Sequence, residues 1–346
     1  MDYKKILWIS HSAISSYEKC PHLYYLEYEY RNPETKNRIQ IINPYLSLGS
    51  AVHETIEELL DVPVKKRIKI SLTDRFSEIF EKYRGFNGGF ISKKKEKDFF
   101  ERGLKMVKRV EDSDFLSRPS TNTVSNFPNM NLIGEEVKLV GSIDWIELLP
   151  NGKAHIIDFK TGNSKESNGS LQLPIYALLA GKNLKEEVEK VSYWYLQTDD
   201  KPTKQKVKDT KEALEILKEK AFKIKKSIDD KFFPCSYGKK CFACRDYEKI
   251  FSGDAEMIES GNSRNKDSFC IFKKEDVLEK ILQENFLDER EKAIFEMRTT
   301  RSMEEINKKL RLENKLSEKI VLEIKEKLKK NLHSKELRVV VNLLKQ

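Results

Sequence analysis

The sequence predicts a mixed α/β fold, in which a central mixed sheet is flanked by helices. Three segments alternate in polarity and are rich in β-branched residues, and segments of helical periodicity surround them. The predicted strands are 137–148, which bends at Gly141, 153–162 and 188–198. A turn at 150–152 joins the first two strands, and a predicted helix at 170–181 lies between the second and the third.

Helices are also predicted on both sides of the strands. They cover 10–30, 47–60, 211–230 and a basic, mostly helical stretch at about 72–112. We interpret the region at about 60–130 as a helical insertion. Residues 253–273 are polar and contain glycine, so we predict a linker there between a domain at 1–252 and a helical domain at 274–346.

The C-terminal segment has the apolar spacing of three short helices. Breaks fall near 299–302 and 312–317, and Ser302 with Glu305 forms the pattern of a capping box. The order L-x-x-R-E, E-E-I and a lysine-rich last helix resembles the helix-turn-helix domain of bacterial sigma factors. That resemblance implies a helix that lies along DNA, and a generic helical oligomerisation or docking domain fits the same pattern.

Charge and composition restrict the function only weakly. The 346 residues carry a net charge of +9, and 35% of them are charged. Such a balance suits phosphate polymers, because Lys and Arg neutralise phosphates and release counterions, but a lysine-rich coding bias gives the same balance. We find neither the roughly 18 apolar residues of a membrane helix nor a signal peptide, so we expect a cytoplasmic chain without a membrane partner.

Two acidic residues and a lysine are spaced for metal-dependent hydrolysis. Asp158 and Lys160 are two residues apart on a predicted strand, so their side chains share one face and Phe159 points into the core. Asp144 lies on the preceding strand, which the turn brings alongside. A divalent cation held by carboxylates activates water, and a nearby lysine can position or deprotonate that water. The D-x-K spacing alone is common in strands, so the surrounding motifs decide whether Asp158 and Lys160 are interpreted as catalytic.

Five motifs, in order, resemble the RecB-type branch of the PD-(D/E)XK nuclease superfamily. This branch includes the RecB and AddB nuclease domains and the CRISPR-associated RecB-like exonucleases. The motifs are SAISSYEKCPHLYY at 12–25, GSAVHETIE at 49–57, GSID at 141–144, IIDFKTG at 156–162 and QLPIY at 172–176. The resemblance covers roughly residues 10–250 and implies a restriction-endonuclease-like core sheet.

The resemblance also implies roles for individual residues. The implied ligands of Mg²⁺ or Mn²⁺ are His53, Asp144 and Asp158, and the implied catalytic lysine is Lys160. Gln172 and Tyr176 would support the site or contact DNA. Considered without the resemblance, His53 also fits an exposed helix position, Gln172 a plain polar position and Tyr176 the core.

Four of the five cysteines are candidates for metal ligation. Cys241 and Cys244 form a C-x-x-C pair, Cys235 precedes them, and Cys20 lies in the N-terminal helix. In a reducing compartment such a group indicates a metal or a cluster rather than disulfides. The fifth, Cys270, is predicted to be a free, buried thiol.

In the resembling family, one cysteine before the nuclease core and three after it hold a [4Fe–4S] cluster that ties the chain ends together. The same order, one cysteine before the core and three after it, is present in this chain. The spacing differs, because the family's third late cysteine follows the C-x-x-C pair, whereas Cys235 precedes it. Three alternatives therefore stay open: the cluster that the resemblance favours, zinc, or no metal.

The function that we predict is a metal-dependent DNA nuclease, and specifically an exonuclease on single-stranded or frayed DNA ends. No sequence-reading element is evident in the core, and end-processing enzymes dominate the resembling family. A helicase, recombination or replication protein is the expected partner, in DNA repair or recombination. The competing prediction is a DNA-binding or regulatory protein that acts through its C-terminal helices, with the nuclease core as a scaffold.

Overall fold

A computed structural model describes residues 6–121, 128–206, 209–238, 241–258, 265–299, 305–306, 308 and 314–344. Over these ranges the chain is a mixed α/β structure with three sheets, which confirms the predicted fold class. The strands are β1 (Leu7–Ile9), β2 (Arg38–Ile42), β3 (Asn129–Ile133), β4 (Val137–Val140), β5 (Trp145–Leu148), β6 (Ala154–Lys160), β7 (Val188–Tyr195), β8 (Thr203–Lys204), β9 (Ala255–Ile258) and β10 (Lys266–Ile271).

Helices surround these sheets. They are α1 (His11–Lys19), α2 (Pro21–Tyr24), α3 (Pro44–Glu57), α4 (Val64–Arg67), α5 (Leu72–Phe80), α6 (Lys93–Glu111), α7 (Gln172–Asn183), α8 (Thr210–Asp229), α9 (Arg245–Phe251), α10 (Lys274–Gln283), α11 (Glu289–Arg298), α12 (Asn314–Asn331) and α13 (Ser334–Leu344). None of the helices in the described ranges is both long enough and apolar enough to cross a bilayer.

The central sheet has the strand order β5-β6-β7-β8. Strands β5 and β6 are antiparallel, because the intervening turn is tight and Gly152 adopts a left-handed φ of 77° in it. Strands β6 and β7 are parallel. Helix α7, which lies between them in the chain, returns the chain to the end of the sheet at which β6 begins. Pairing of Asp158 with Tyr193 places the acidic end of β6 in the middle of the sheet.

Both faces of the central sheet are buried. Alternate residues of β6 enter different cores: Ile156 packs with α7 and α8, whereas Ile157 and Phe159 pack with α3, α5 and α6. Helices α5 and α6 belong to the predicted helical insertion. The insertion therefore supplies one of the two layers that cover the sheet.

The segment 137–148 is not one strand, and this prediction was wrong. It divides into β4, which pairs with β1 and β3 in an N-terminal sheet, and β5, which pairs with β6 in the central sheet. The chain changes sheets at Gly141, where a Cβ atom would lie only 3.0 Å from Leu179 and 3.2 Å from Tyr176. Helix α7 thus packs directly against the backbone at this bend, which leads into Asp144.

The described parts of the range 253–273 contain strands, where the sequence predicted a linker. These strands are β9 and β10, and β10 pairs in parallel with β2 in a distal sheet of order β2-β10-β9. The Asp267 carboxylate accepts hydrogen bonds from the side chains of Asn32, Thr35 and Asn37, which fixes β10 to the loop before β2. Residues on the two sides of the predicted boundary at 252 are therefore joined in one sheet.

The described part of 274–344 is helical. The predicted capping box at Ser302 lies outside the described residues. A reciprocal capping box opens α11 instead, because the Glu291 amide donates to Asp288 Oδ1 at 2.8 Å and the Asp288 amide donates to Glu291 Oε2 at 2.9 Å. Apolar residues of α10 to α13 form a third core that includes Ile91, from the loop before α6.

Two helical glycines provide a test of the packing. At Gly103 in α6 a Cβ atom would lie 2.1 Å from Phe76 Cζ of α5, whereas at Gly181 in α7 nothing lies within 4 Å. We expect Gly103→Ala to lower the free energy of unfolding by about 1–3 kcal/mol through overpacking. The matched control Gly181→Ala should be neutral or stabilising, by up to ~1 kcal/mol. Denaturant unfolding measures both, and equal effects would contradict the close α5–α6 contact.

Candidate active site and metal centre

Helix α3 presents His53 to the edge of the central sheet. The helix begins earlier than the predicted residue 47, because the Asn43 side chain accepts hydrogen bonds from the amides of Tyr45 and Leu46 and Pro44 occupies the first turn. Gly49 lies one turn before His53, and a Cβ atom there would be 3.3 Å from Thr161 Oγ1. The absence of a side chain at Gly49 lets α3 approach the end of β6.

Asp144 lies opposite His53. It follows the bend at Gly141, is 6% exposed, and its Oδ2 atom accepts a hydrogen bond of 2.8 Å from the Phe159 amide. The His53 Nδ1 atom is 3.4 Å from Asp144 Oδ2 and 3.7 Å from Glu57 Oε1. One donor atom from each of these three side chains lies within 4.8 Å of the other two. This acidic group can hold a metal ion.

Asp158 and Lys160 lie side by side on β6, on the face covered by α7. Lys160 Nζ is 2.8 Å from Asp158 Oδ2, and Phe159 between them is 1% exposed in the opposite core. The Gln172 side chain joins the two residues, because its Nε2 donates to Asp158 Oδ1 at 2.9 Å and its Oε1 accepts from Lys160 Nζ at 2.6 Å. Because side chains two residues apart on a strand share one face, Asp158 and Lys160 form an ion pair, and the Gln172 amide bridges them.

Tyr176 completes the network from α7. Its hydroxyl accepts a hydrogen bond of 3.0 Å from Gln172 Nε2, one helical turn away, and its side chain is 7% exposed. The Tyr193 ring lies against Lys160, with Nζ 5.1 Å from the ring centre, and Glu166 is 3.6 Å from the same nitrogen. All six residues singled out from the sequence are therefore placed in one region, at the junction of α3, β6 and α7.

The two carboxylates are close enough to affect each other. Burial and the Asp144 carboxylate raise the pKa of Asp158 to about 7, although Lys160 and His53 act in the opposite direction. Burial lowers the pKa of His53, but Asp144, Glu57 and Asp158 outweigh burial and raise that pKa to about 10. The buried negative charge of Asp144 contributes to both shifts, and a bound cation would relieve it.

The donor set fits a hard divalent cation. An imidazole nitrogen and carboxylate oxygens are ligands that Mg²⁺ and Mn²⁺ accept. Asp158 Oδ2 is buried and accepts no hydrogen bond from the described residues, its contact with Lys160 being an ion pair. His53, Glu57 and Asp144 also line an open cleft of about 700 Å³, which gives an ion and a substrate access from solvent.

Glu57 is the site residue that the sequence analysis missed. It follows His53 by four residues on α3, so the two side chains project from the same face of the helix. The four-residue spacing of His53 and Glu57 is visible in the motif GSAVHETIE, but the sequence does not distinguish Glu57 from its acidic neighbours Glu54 and Glu58. The structure distinguishes them, because Glu54 contacts Lys82 and Tyr83, and Glu58 contacts Arg75.

The four predicted cysteine ligands also come together, away from this site. The Sγ–Sγ distances are 3.8 Å for Cys20–Cys235, 3.7 Å for Cys20–Cys244 and 3.5 Å for Cys241–Cys244. All four sulfur atoms lie within 4.8 Å of one another, and none forms a disulfide. Cys270 is buried in the third core and remains a free thiol, in agreement with the prediction.

Backbone amides surround the sulfur of Cys20. Burial by itself raises the pKa of this thiol, but hydrogen bonds from the amides of Ser236, Leu23 and His22 lower the pKa to about 7. Three of the four cysteines are at most 1% exposed, and apolar side chains from α2, β2 and α9 pack around them. The group has the donors and the shielding of a structural metal centre.

Comparison with protein families gives one result for the chain. The family model described as the PD-(D/E)XK nuclease superfamily matches residues 8–247, which is more than half of the 346 residues. The matched range contains the α3–β6–α7 site and the four clustered cysteines. A search of curated proteins finds no match.

The metal site can be tested without a catalytic assay. We expect Mn²⁺ to raise the unfolding temperature, because an ion bound only by the folded state stabilises it, by about 2.7 kcal/mol at 100 times its Kd. Glu57→Gln removes a carboxylate from the donor group, so its Kd for Mn²⁺ should rise roughly tenfold or more. Thermal unfolding or calorimetric titration with Mn²⁺ measures the change.

Glu54→Gln is the matched control for this test. Glu54 lines the same cleft, but its carboxylate contacts Lys82 and Tyr83 rather than His53. We expect the control to bind Mn²⁺ as the wild type does. If Glu57→Gln bound Mn²⁺ as tightly as the control, Glu57 would not be a ligand.

Proposed function

Because the chain belongs to the PD-(D/E)XK nuclease superfamily, we propose that it hydrolyses DNA phosphodiesters at the junction of α3, β6 and α7. The observation that carries the proposal is the convergence of an imidazole, two buried carboxylates and one ammonium group at the end of one strand. His53, Asp144 and Asp158, with Glu57, hold Mg²⁺ or Mn²⁺. Such an ion, when bound, lowers the pKa of a water molecule and stabilises charge on the phosphate.

Lys160 is the catalytic residue that we assign to the attacking water. Its ammonium group is held between Asp158 and Gln172, 2.8 Å and 2.6 Å away. Gln172 fixes Asp158 and Lys160 relative to each other, and the buried Tyr176 fixes Gln172 in turn. The amine is thereby preorganised to orient the water and to offset the negative charge that develops on the phosphate.

The depth of the site supports a single-stranded substrate. The side chains of Asp158 and Lys160 are 3% and 19% exposed, so the scissile phosphate must enter a recess to reach them. A single strand or a frayed end is narrow and flexible enough to do so, whereas an intact duplex is wide and stiff. We therefore assign the chain an exonuclease activity on single-stranded or frayed DNA ends.

The five motifs and their order support our assignment of the chain to the RecB-type branch, with a role in DNA repair or recombination. We therefore propose a helicase or a recombination or replication protein as its partner, inside the cell. The helices after β10 are a docking or DNA-binding element in this proposal.

The nuclease activity has a direct test. The wild type should degrade end-labelled single-stranded DNA when Mn²⁺ is present and should stop when EDTA is added. We expect Asp158→Asn and Lys160→Ala to lower the rate by at least about 100-fold, because each removes a group that binds the ion or orients the water. Gel analysis of the labelled products gives the rates.

Lys190→Ala is the control for the lysine variant. Lys190 is on the neighbouring strand β7, is 38% exposed and pairs with Glu189, away from the proposed site. It should retain the wild-type rate. Degradation that persists equally in wild type, Asp158→Asn and Lys160→Ala would show that a contaminant or another site carries the activity.

The requirement for an end is tested separately. We expect linear single-stranded DNA to be shortened progressively, while a covalently closed circle of the same sequence survives. The comparison uses equal nucleotide concentrations and the same Mn²⁺ concentration. Cleavage of the circle at a similar rate would replace the exonuclease assignment by an endonuclease one and leave the proposed site intact.

A further inference from the structure

We propose that Cys20, Cys235, Cys241 and Cys244 bind a single tetrahedral Zn²⁺ ion rather than the [4Fe–4S] cluster that the family resemblance implies. Three sulfur pairs are 3.5, 3.7 and 3.8 Å apart, and all four sulfurs lie within 4.8 Å of one another. The proposed zinc site does not depend on the nuclease activity.

The distances match the geometry of one ion. Zinc binds thiolates at about 2.3 Å in a tetrahedral arrangement. Two ligands of a regular tetrahedron are separated by about 1.63 times the ion–ligand distance, so thiolates around zinc lie ~3.8 Å apart. The Cys20–Cys235 and Cys20–Cys244 distances of 3.8 and 3.7 Å agree with this value.

The same distances do not fit a four-iron cube. In the cluster each thiolate binds a different iron, at a different corner. With an iron–sulfur distance of about 2.3 Å, like that of zinc, the separation between two thiolates equals the iron–iron separation plus ~3.8 Å. Even the upper limit of 4.8 Å would leave about 1 Å between irons, which is shorter than a covalent C–N bond.

A disulfide does not explain the contact either. A disulfide has an S–S distance of about 2.05 Å, and the Cys241–Cys244 pair, at 3.5 Å, is the closest pair with a stated distance. The four thiols are also directed at one another from four separate backbone positions in a mostly buried pocket. Four sulfur donors that converge on one point form the complete ligand set of a structural zinc ion.

The inference also explains the unusual order of the cysteines. Cys235 reaches the group from the loop after α8, and Cys241 and Cys244 precede and cap α9. Cys20 separates α1 from α2 at the other end of the chain. A single ion needs four sulfur ligands close together. Cys235 supplies the fourth ligand, so no further cysteine is needed after the C-x-x-C pair.

The test is the metal content of the full-length protein, produced in medium that contains both iron and zinc and purified without oxygen. We expect about one zinc per chain, little iron or acid-labile sulfide, and no visible charge-transfer band. Replacement by Co²⁺ should give the visible absorption of a tetrahedral cobalt–thiolate centre. Four irons with sulfide, one iron in place of zinc, or no metal would each overturn the proposal.

Cysteine variants assign the ion to this site. Cys244→Ser should lose the bound zinc, and Cys235→Ser, at a partly exposed position, should weaken zinc retention against a chelator even if the first variant fails to fold. Cys270→Ser is the matched control, because Cys270 is 1% exposed but lies in a different core. Retention of one zinc by both Cys235→Ser and Cys244→Ser, or its loss from Cys270→Ser, would contradict the assignment.

Discussion

The structure of the site depends on one hydrogen bond, from the Phe159 amide to the Asp144 carboxylate. This bond of 2.8 Å attaches the residue before β5 to the C-terminal end of β6 and holds two acidic side chains close together in the interior. Such an arrangement is unfavourable for a folded protein without a cation. His53, Lys160 and Gln172 are the surrounding groups that make it tolerable, and each arrives from a different element.

The arrangement also explains two irregularities of the fold. The chain changes sheets at Gly141, and β5 then pairs with β6 so that Asp144 lies beside Phe159. Helix α3 approaches β6 closely at Gly49, where a Cβ atom would lie only 3.3 Å from Thr161 Oγ1. Both glycines lie in motifs that the sequence analysis quoted for other reasons, and both act by allowing close approach.

Part of the site could be predicted from elementary rules. The period of two puts Asp158 and Lys160 on one face, and the turn after β5 brings Asp144 alongside. The position of His53 could not be derived in this way, because it depends on how α3 packs, and only the family resemblance supplied it. Glu57 was missed since its partner became clear only in three dimensions. The strands β9 and β10 were missed because β10 pairs with β2, more than 220 residues away, and local sequence contains no signal for that pairing.

The contact between the first and last thirds of the chain has a consequence for biosynthesis. The central sheet is complete once residue 204 has left the ribosome, whereas β2 gains its partner β10, and Cys20 its companions, only from residues 235–271. Until then β2 has no partner strand among the described residues. Contacts of such long sequence separation form slowly, and an unpaired strand is open to association with other chains. The β2 edge therefore stays open for the time that translation needs to pass from residue 42 to β10.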